Sequence, residues 1–501
     1  MQGKGIITVD IGTSSLRAVL FNERGRVLAV SRRDNPPDFL DGGRVQQNSD
    51  TWRTLVPEVL KDCAAHAGRL GTKVTALALT AQRSSVIPVD AQGKALYPAI
   101  MWQDTRTEGL CSRMTSSHGL VYGRTGLRIS PVFSAVKMTW LKENENPAYK
   151  ATHKMMGIQD FVLHELTGSF VTDRSLASRT NLFNLHTLDW DDELISLFGI
   201  ERKLLCDLVN PGDIAGYLNA AQAAATGLAV GIPVISAGGD QQCAALGLGL
   251  LGPGRMIANT GTGSYLITGS LQPAADPGMG IACNVAAVPG TFILEAGVLT
   301  SGSVYQWFRK EFYREPLAEG ASKYALIDSE ASASPPGANG VILLPHFRGR
   351  GSPTWNPAAK GAFLNLNPGI TRGDMARSIL EGIALEMAEN IEALEALAGK
   401  AKSIEVSGGM TASALYNQIQ ADCYGRTIER PDDAEATALG AWISCAVKVG
   451  LYASFGKAFE AATEGASREE FQPNPDNFPM YRELAGKRKQ MYAGLSGTPA
   501  I

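Results

Sequence analysis

Two α/β lobes with a functional cleft between them are what this sequence predicts, and three observations predict it. The chain has 501 residues, more than one ordinary core accommodates, so two or three domains are expected. A β-turn-β unit with a Gly-Thr turn opens the chain, and a second unit of the same pattern begins near residue 255. The two units start halves of similar length, which reads as an internal duplication of a hairpin-based lobe. A site is then expected where the lobes face each other.

In the first unit Ile6–Asp10 reads as a buried strand, Gly12–Ser15 as a turn and Leu16–Phe21 as a second strand. Asn22–Arg26, with Gly25 at its centre, turns into a third strand at Val27–Ser31. The stretch Leu218–Gly238 is apolar but interrupted by Asn219, Gln222, Gly227 and Pro233, so it reads as helix, turn and strand. It is not a membrane span. The second unit repeats the first: Arg255–Ala258 as strand, Asn259–Ser264 as turn, Tyr265–Thr268 as return strand. The strongest helix is Thr371–Ala398, with Thr371 as cap, Asp374 in the first turn and a stripe of Ile379, Ile383, Met387, Ile391 and Leu394. Gly399 ends it. Ser403–Ser407 reads as a strand, Gly408–Gly409 as a tight turn, and Ser413–Tyr424 as a helix stopped by Gly425. The tail beyond Ser496 is expected to fray.

Composition narrows the function classes. A net charge of −3 gives no global basic field of the kind nucleic acid or an anionic membrane selects. Seven cysteines, at 63, 111, 206, 243, 283, 423 and 445, form no CxxC pair. That spacing is neither a disulfide framework nor a zinc site, and a reducing, cytoplasmic setting is expected. The six histidines show no HExxH spacing. The apolar run Ile6–Val9 is stopped by Asp10 and is too short for a signal segment.

Two constellations carry chemistry. In Asp10-Ile-Gly-Thr-Ser-Ser, followed by Arg17, Gly12 allows close backbone approach, and Thr13, Ser14 and the turn amides offer donors to phosphate. Asp10 can hold phosphate-bound Mg²⁺, directly or through water. A plain hairpin turn is the competing reading. Asn259-Thr-Gly-Thr-Gly-Ser264 has the same chemistry, and two such turns point to a nucleotide. In Ser236-Ala-Gly-Gly-Asp240-Gln-Gln a carboxylate ends an apolar strand and precedes a helical run. Asp240 there is either a base for a substrate hydroxyl or a helix N-cap. Gly247-Leu-Gly-Leu-Leu-Gly252 matches GxGxxG but follows a helical run and leads into a turn, the wrong context for a dinucleotide loop. No GxxxxGK[ST] loop occurs.

Taken in order along nearly the whole chain, these segments resemble the FGGY family of carbohydrate kinases, in particular its glycerol kinase branch. Asp10–Arg17 resembles the first phosphate motif, Val132–Trp140 the N-terminal signature, and Gly361–Gly369 running on to Glu381 the C-terminal one. Asp240-Gln-Gln with Gly261-Thr-Gly263 resembles the glycerol kinase form, while Ser407-Gly-Gly409 and Glu435–Gly440 resemble the nucleotide-lobe motifs. The resemblance implies two actin-like ATPase (ribonuclease H-like) lobes, 1–242 binding the acceptor and 243–501 the nucleotide. It implies ATP-dependent phosphorylation of a small polyol or sugar with Mg²⁺, by a homo-oligomer, a dimer. It assigns Asp240 as catalytic base and Asp10 to Mg²⁺. Thr13, Ser14, Arg17, Gly261 and Thr262 fall near the ATP phosphates, and Gln306, Gly409, Met410 and Ser413 near the nucleoside. Gln82, Arg83, Trp102, Asp240, Gln241 and Tyr265 fall at the acceptor.

Two positions depart from glycerol kinases. Those have glutamate after the matching arginine, where this chain has Ser84, and tyrosine where it has Val132. Losing two groups that hydrogen-bond glycerol enlarges the pocket, so an acceptor of four or more carbons, phosphorylated on a primary hydroxyl, is expected rather than glycerol. Trp102 as core and Arg83 as a surface ion pair are the competing readings at those positions. Glycerol kinase proper, an actin-like phosphatase and a non-enzymatic ATP-binding module are the alternative functions. ADP release dependent on a polyol or sugar separates a kinase from the last two.

Overall fold

A computed structural model describes residues 3–315, 322–431 and 435–496. The first three strands, β1 (Gly3–Ile11), β2 (Ser15–Asn22) and β3 (Val27–Asp34), form the expected antiparallel hairpin and return. Helix α1 (Asp50–Arg69) leads to β4 (Thr72–Ala81), which pairs in parallel with β1. After α2 (Ser134–Asn144) and α3 (Ile158–Thr167), β5 (Ile214–Tyr217) and β6 (Pro233–Gly239) complete a six-stranded sheet of order β5-β6-β4-β1-β2-β3. Seven consecutive residues of β1, Gly5–Ile11, are buried, the pattern of a central strand covered on both faces. Helix α4 (Asp240–Gly247) follows β6 directly.

The second half repeats this path. β7 (Arg255–Thr260), β8 (Ser264–Ser270), β9 (Ala282–Val285) and β10 (Phe292–Val298) are antiparallel neighbours. Helices α5 (Gly302–Phe312) and α6 (Arg372–Ala398) precede β11 (Ser403–Ser407), which pairs in parallel with β7. α7 (Ala414–Tyr424), β12 (Ile428–Pro431), α8 (Ala436–Lys448) and β13 (Arg468–Phe471) follow, and the sheet order is β9-β10-β8-β7-β11-β12-β13. Both sheets therefore set an antiparallel hairpin beside two parallel strands and end on an antiparallel edge. The duplication read from the turns is a duplication of topology.

Local chemistry explains the ends. Thr371 and Asp374 form a reciprocal capping box on α6, and Gly425 closes α7 in the left-handed conformation. The last described element is a helix at Phe478–Ser496, and the fraying expected beyond it lies outside the described residues. The GxGxxG match has a packing explanation. A Cβ on Gly247 would lie 1.9 Å from the carbonyl oxygen of Ala436, and one on Gly440 would lie 1.8 Å from that of Cys243. Helices α4 and α8 thus cross backbone to backbone. Helix α8 also covers the first sheet: Ala438, Ala441, Trp442 and Cys445 share one core with Ile6, Val19, Ala76, Ala78 and Ile235. The second half of the chain completes the core of the first.

Candidate active site

Asp10 lies one residue before the end of β1, with its partner in register, Arg17, across the hairpin. Arg17 Nε and Nη2 lie 3.1 and 3.0 Å from Asp10 Oδ2, and Nη1 reaches Glu435 at 3.3 Å. Burial pushes the Asp10 carboxyl up to about 6, against the pull of Arg17 and with a further push from Asp240 and Glu435. A buried carboxylate whose charge one arginine leaves under-compensated suits a divalent cation shared with phosphate. The turn itself bonds to neutral side chains. Thr13 donates to Gln82 Oε1 at 3.3 Å and accepts from Trp102 Nε1 at 3.1 Å, while Gln82 Nε2 donates to the Gly12 carbonyl at 3.2 Å. Trp102 is half-buried and bonded into the turn, so it is not plain core. Ser14 is exposed.

Asp240 is the first residue of α4, and the cap is Gly239, with no side-chain capping bond. The N-cap reading of Asp240 does not hold. Its Oδ1 instead accepts from the Gln241 amide at 2.7 Å and lies 3.6 Å from Arg83 Nε. Burial raises the Asp240 carboxyl above its ordinary value, and Arg83 opposes this. Arg83 is no surface ion pair. Nη1 donates to Glu295 Oε1 at 2.6 Å and to Gln242 Oε1 at 3.3 Å, from a side chain only 12% exposed. Its stem passes close over Gly239, where a Cβ would lie 2.8 Å from Cγ and Cδ. Tyr265, 44% exposed, joins the same electrostatic neighbourhood, and Gln241 is half-buried beside Asp240.

Four residues here were not singled out from the sequence. Arg179 Nη1 donates to Glu295 Oε2 at 2.9 Å and to Asn284 Oδ1 at 3.2 Å, and its guanidinium sits 4.9 Å from the Phe133 ring centre. Glu295 had a readable signal, a carboxylate within the apolar strand β10. Arg179 and Asn284 had none. The fourth, Lys137, is fully buried on α2, and Nζ donates to the carbonyls of Ser84 at 2.8 Å and Val132 at 2.5 Å. The two positions that depart from glycerol kinases are thereby tied to one amine. Ser84 adopts φ 68° and donates to the Arg179 carbonyl at 3.3 Å.

The second turn is neutral. Gly261 N donates to Gly263 O at 2.9 Å, as Gly12 N does to Ser15 O in the first. Ser301 N and Ser303 N donate to Thr262 O, and Gly302 N to Gly261 O. A Cβ on Gly302 would fall 2.4 Å from Gly261 O and 3.5 Å from Met410 Cγ, and one on Gly408 would fall 2.6 Å from Thr260 O. The turn, the start of α5 and the segment after β11 thus make one patch. Thr262, Gly409 and Gln306 are exposed along it, and Ser413 caps α7 by accepting from Tyr416 N.

The geometry gives a charged half-site containing Asp10, Arg17, Arg83 and Asp240 beside a neutral, backbone-rich one, and comparison with known proteins gives both a common identity. The family described as the FGGY family of carbohydrate kinases matches with its N-terminal domain over residues 5–247 and its C-terminal domain over 256–449. The glycerol kinase of Dichelobacter nodosus is 33% identical over 464 residues, covering 90% of this chain and 91% of that one. That of Pasteurella multocida is 32% identical over 509 residues, covering 98% of each. A ligand-bound xylulose kinase structure from Lactobacillus acidophilus superposes with a TM-score of 0.91 at 23% identity over 98% of both chains. The Plasmodium falciparum glycerol kinase with ADP superposes at 0.89 and 21% identity over 98% of both. The fold is thus the actin-like ATPase fold of two α/β lobes, and the chain belongs to the FGGY family of carbohydrate kinases, enzymes that use ATP with Mg²⁺ to phosphorylate a polyol or sugar.

Proposed function

We propose that this kinase phosphorylates a primary hydroxyl of a polyol or ketose with four or more carbons, and that Asp240 is the general base. The observation that carries the substrate reading is the wall held by Lys137. Its two carbonyl partners belong to Ser84 and Val132, so the carboxylate and phenol found in glycerol kinases are both missing from one patch. The residues left to orient a terminal hydroxyl are Gln82 and Trp102, which meet at Thr13, and Arg83, Gln241 and Tyr265, which lie about Asp240. Its raised carboxyl suits accepting a proton as the phosphoryl group transfers. Asp10 is the residue for Mg²⁺, which neutralises charge on the phosphates when bound. Arg17, Thr13, Ser14 and the amides around Gly261 and Thr262 serve the phosphates. Gln306, Gly409, Met410 and Ser413 serve the nucleoside. The acceptor lobe is 1–242 and the nucleotide lobe 243–501. A coupled ADP-release assay across polyols, ketoses, aldoses and sugar acids tests the reading, and a preference for glycerol over every larger acceptor would reject it.

The same proposal places the enzyme in the cytoplasm as a homodimer. All seven cysteines are unpaired and five are buried, which suits a reducing compartment. Sedimentation at micromolar concentration tests the dimer.

A further inference from the structure

Two arginines from the first half of the chain grip one carboxylate from the second. Arg83 and Arg179 hold Glu295, the three side chains being 12%, 10% and 11% exposed. Asn284 Nδ2 adds a bond to Glu295 Oε2 at 3.2 Å. With Asp240 ionised, two cations face two anions, yet the pairing is unequal. Arg83 Nη1 is 2.6 Å from Glu295, while its Nε is 3.6 Å from Asp240 Oδ1, outside hydrogen-bond range.

That inequality has a chemical consequence. A guanidinium paired through two bonds to a carboxylate occupies the lone pairs on which a proton would land and stabilises the ionised form. Arg83 is close enough to do this to Asp240 by a small turn of its fork. We infer that Glu295 is a positioning residue for phosphoryl transfer: it reaches across the lobe boundary and holds Arg83 off Asp240, leaving the base an oxygen free to take the acceptor proton. Arg179 and Asn284 fix Glu295 in turn, through the oxygen that Arg83 does not use. The charged and titratable groups acting on Asp240 are Arg83, Glu295, Arg179, Tyr265, Asp10 and Cys243. Of these, Glu295 is the only anion in contact with Arg83 besides Asp240 itself. Because the grip spans the two halves, the base is set only where they meet.

This inference rests on Asp240 as base, and the test separates the two. kcat and the acceptor KM are measured from pH 5 to 10 by coupled ADP release for Glu295→Gln, Glu295→Asp and Asn284→Ala. Released from Glu295, Arg83 turns to Asp240. Glu295→Gln should lower kcat about 10- to 100-fold, change the acceptor KM less than about threefold and move the acidic limb of kcat down by about half a pH unit or more. Glu295→Asp should recover part of both changes. Asn284→Ala, which loosens Glu295 without removing it, should move both the same way by less, and it decides the matter if Glu295→Gln does not fold. An acidic limb that stays put or moves up while kcat falls would overturn the inference, as would a rise in KM alone. An Asp240→Asn enzyme with near-wild-type turnover would remove the base, and the inference with it.

Discussion

The two Gly-Thr turns occupy the same place in duplicated sheets and have opposite chemistry. Asp10 pairs in register with Arg17 across the first hairpin, whereas Asn259 pairs with Tyr265 across the second. Each turn closes on an amide-to-carbonyl bond of 2.9 Å. The first is loaded with charge: Asp10, Arg17 and Glu435 on one side, Asp240 and Arg83 on the other. The second engages its neighbours through backbone amides and neutral side chains: Asn259 Nδ2 donates to Ser407 Oγ at 3.0 Å, and Ser264 Oγ to Ser301 Oγ at 2.7 Å. Duplication supplied two equivalent loops. They differ in what surrounds them: ion pairs at the first, neutral groups at the second.

The strongest way to break this asymmetry is to neutralise the charged side. Asp240→Asn should fold and bind ATP while turnover drops about 10²–10⁴-fold. Calorimetry with ATP and a steady-state assay check both halves. Turnover close to wild type would leave Asp240 with no role beyond its bond to the Gln241 amide.

A second substitution tests the wall beside the charged turn. Ser84→Glu with Val132→Tyr should raise glycerol activity and lower activity on the true acceptor, a switch of roughly 30- to 150-fold from two buried hydrogen bonds of about 1–1.5 kcal/mol each. The left-handed φ of 68° at Ser84 does not forbid the change, because glutamate is not β-branched. Relative kcat/KM on glycerol and on a four- or five-carbon acceptor reads the outcome.

On the neutral side the prediction is narrower. A Cβ at Gly261 would meet nothing closer than 3.9 Å, so the ligand-free turn has room at that position, and Gly261→Val probes it. What it blocks is backbone approach to phosphate. ATP should bind about 10-fold more weakly, with acceptor binding nearly unchanged. Equal losses for both ligands by calorimetry would mean that the two turns are not independent.

The fold was legible where backbone needs are local. The strands around both turns, the Thr371 cap, and Gly399 and Gly425 as stops all follow from neighbours in sequence. Asp10, Arg17, Arg83 and Asp240 were legible because motifs place them at strand ends. What the sequence hid is the pairing across long separations. Arg179 and Asn284 lie far apart in the chain and acquire meaning only when the halves meet on Glu295. Gly247 and Gly440 likewise look like loop or helix glycines until two helices cross on them. Ser413 and Thr13, expected near the nucleotide, also bond within the fold, to Tyr416 N and to Gln82 and Trp102.

Lys137 sharpens the comparison with the smallest effect, because it puts a buried cation behind the charged turn's wall. Burial lowers its pKa to about 7, with Asp104 as the leading opposing influence, against about 10.4 in an unfolded chain. Between these values the folded protein holds fewer protons than the unfolded one, so this lysine makes stability rise with pH across that window. Below about 7 both states are protonated and its contribution becomes level. Lys137→Met removes the titration along with the bonds to Ser84 and Val132. The signed gap, wild-type stability minus variant stability, should therefore rise by about 1 kcal/mol between roughly pH 7.5 and 8.5, other titrating groups cancelling in the difference. Urea unfolding of both proteins at the two pH values measures it. A gap that stays constant would mean that Lys137 keeps its charge in the fold, held by Asp104 more firmly than burial opposes it. A signed gap that falls would reverse the sign of the argument.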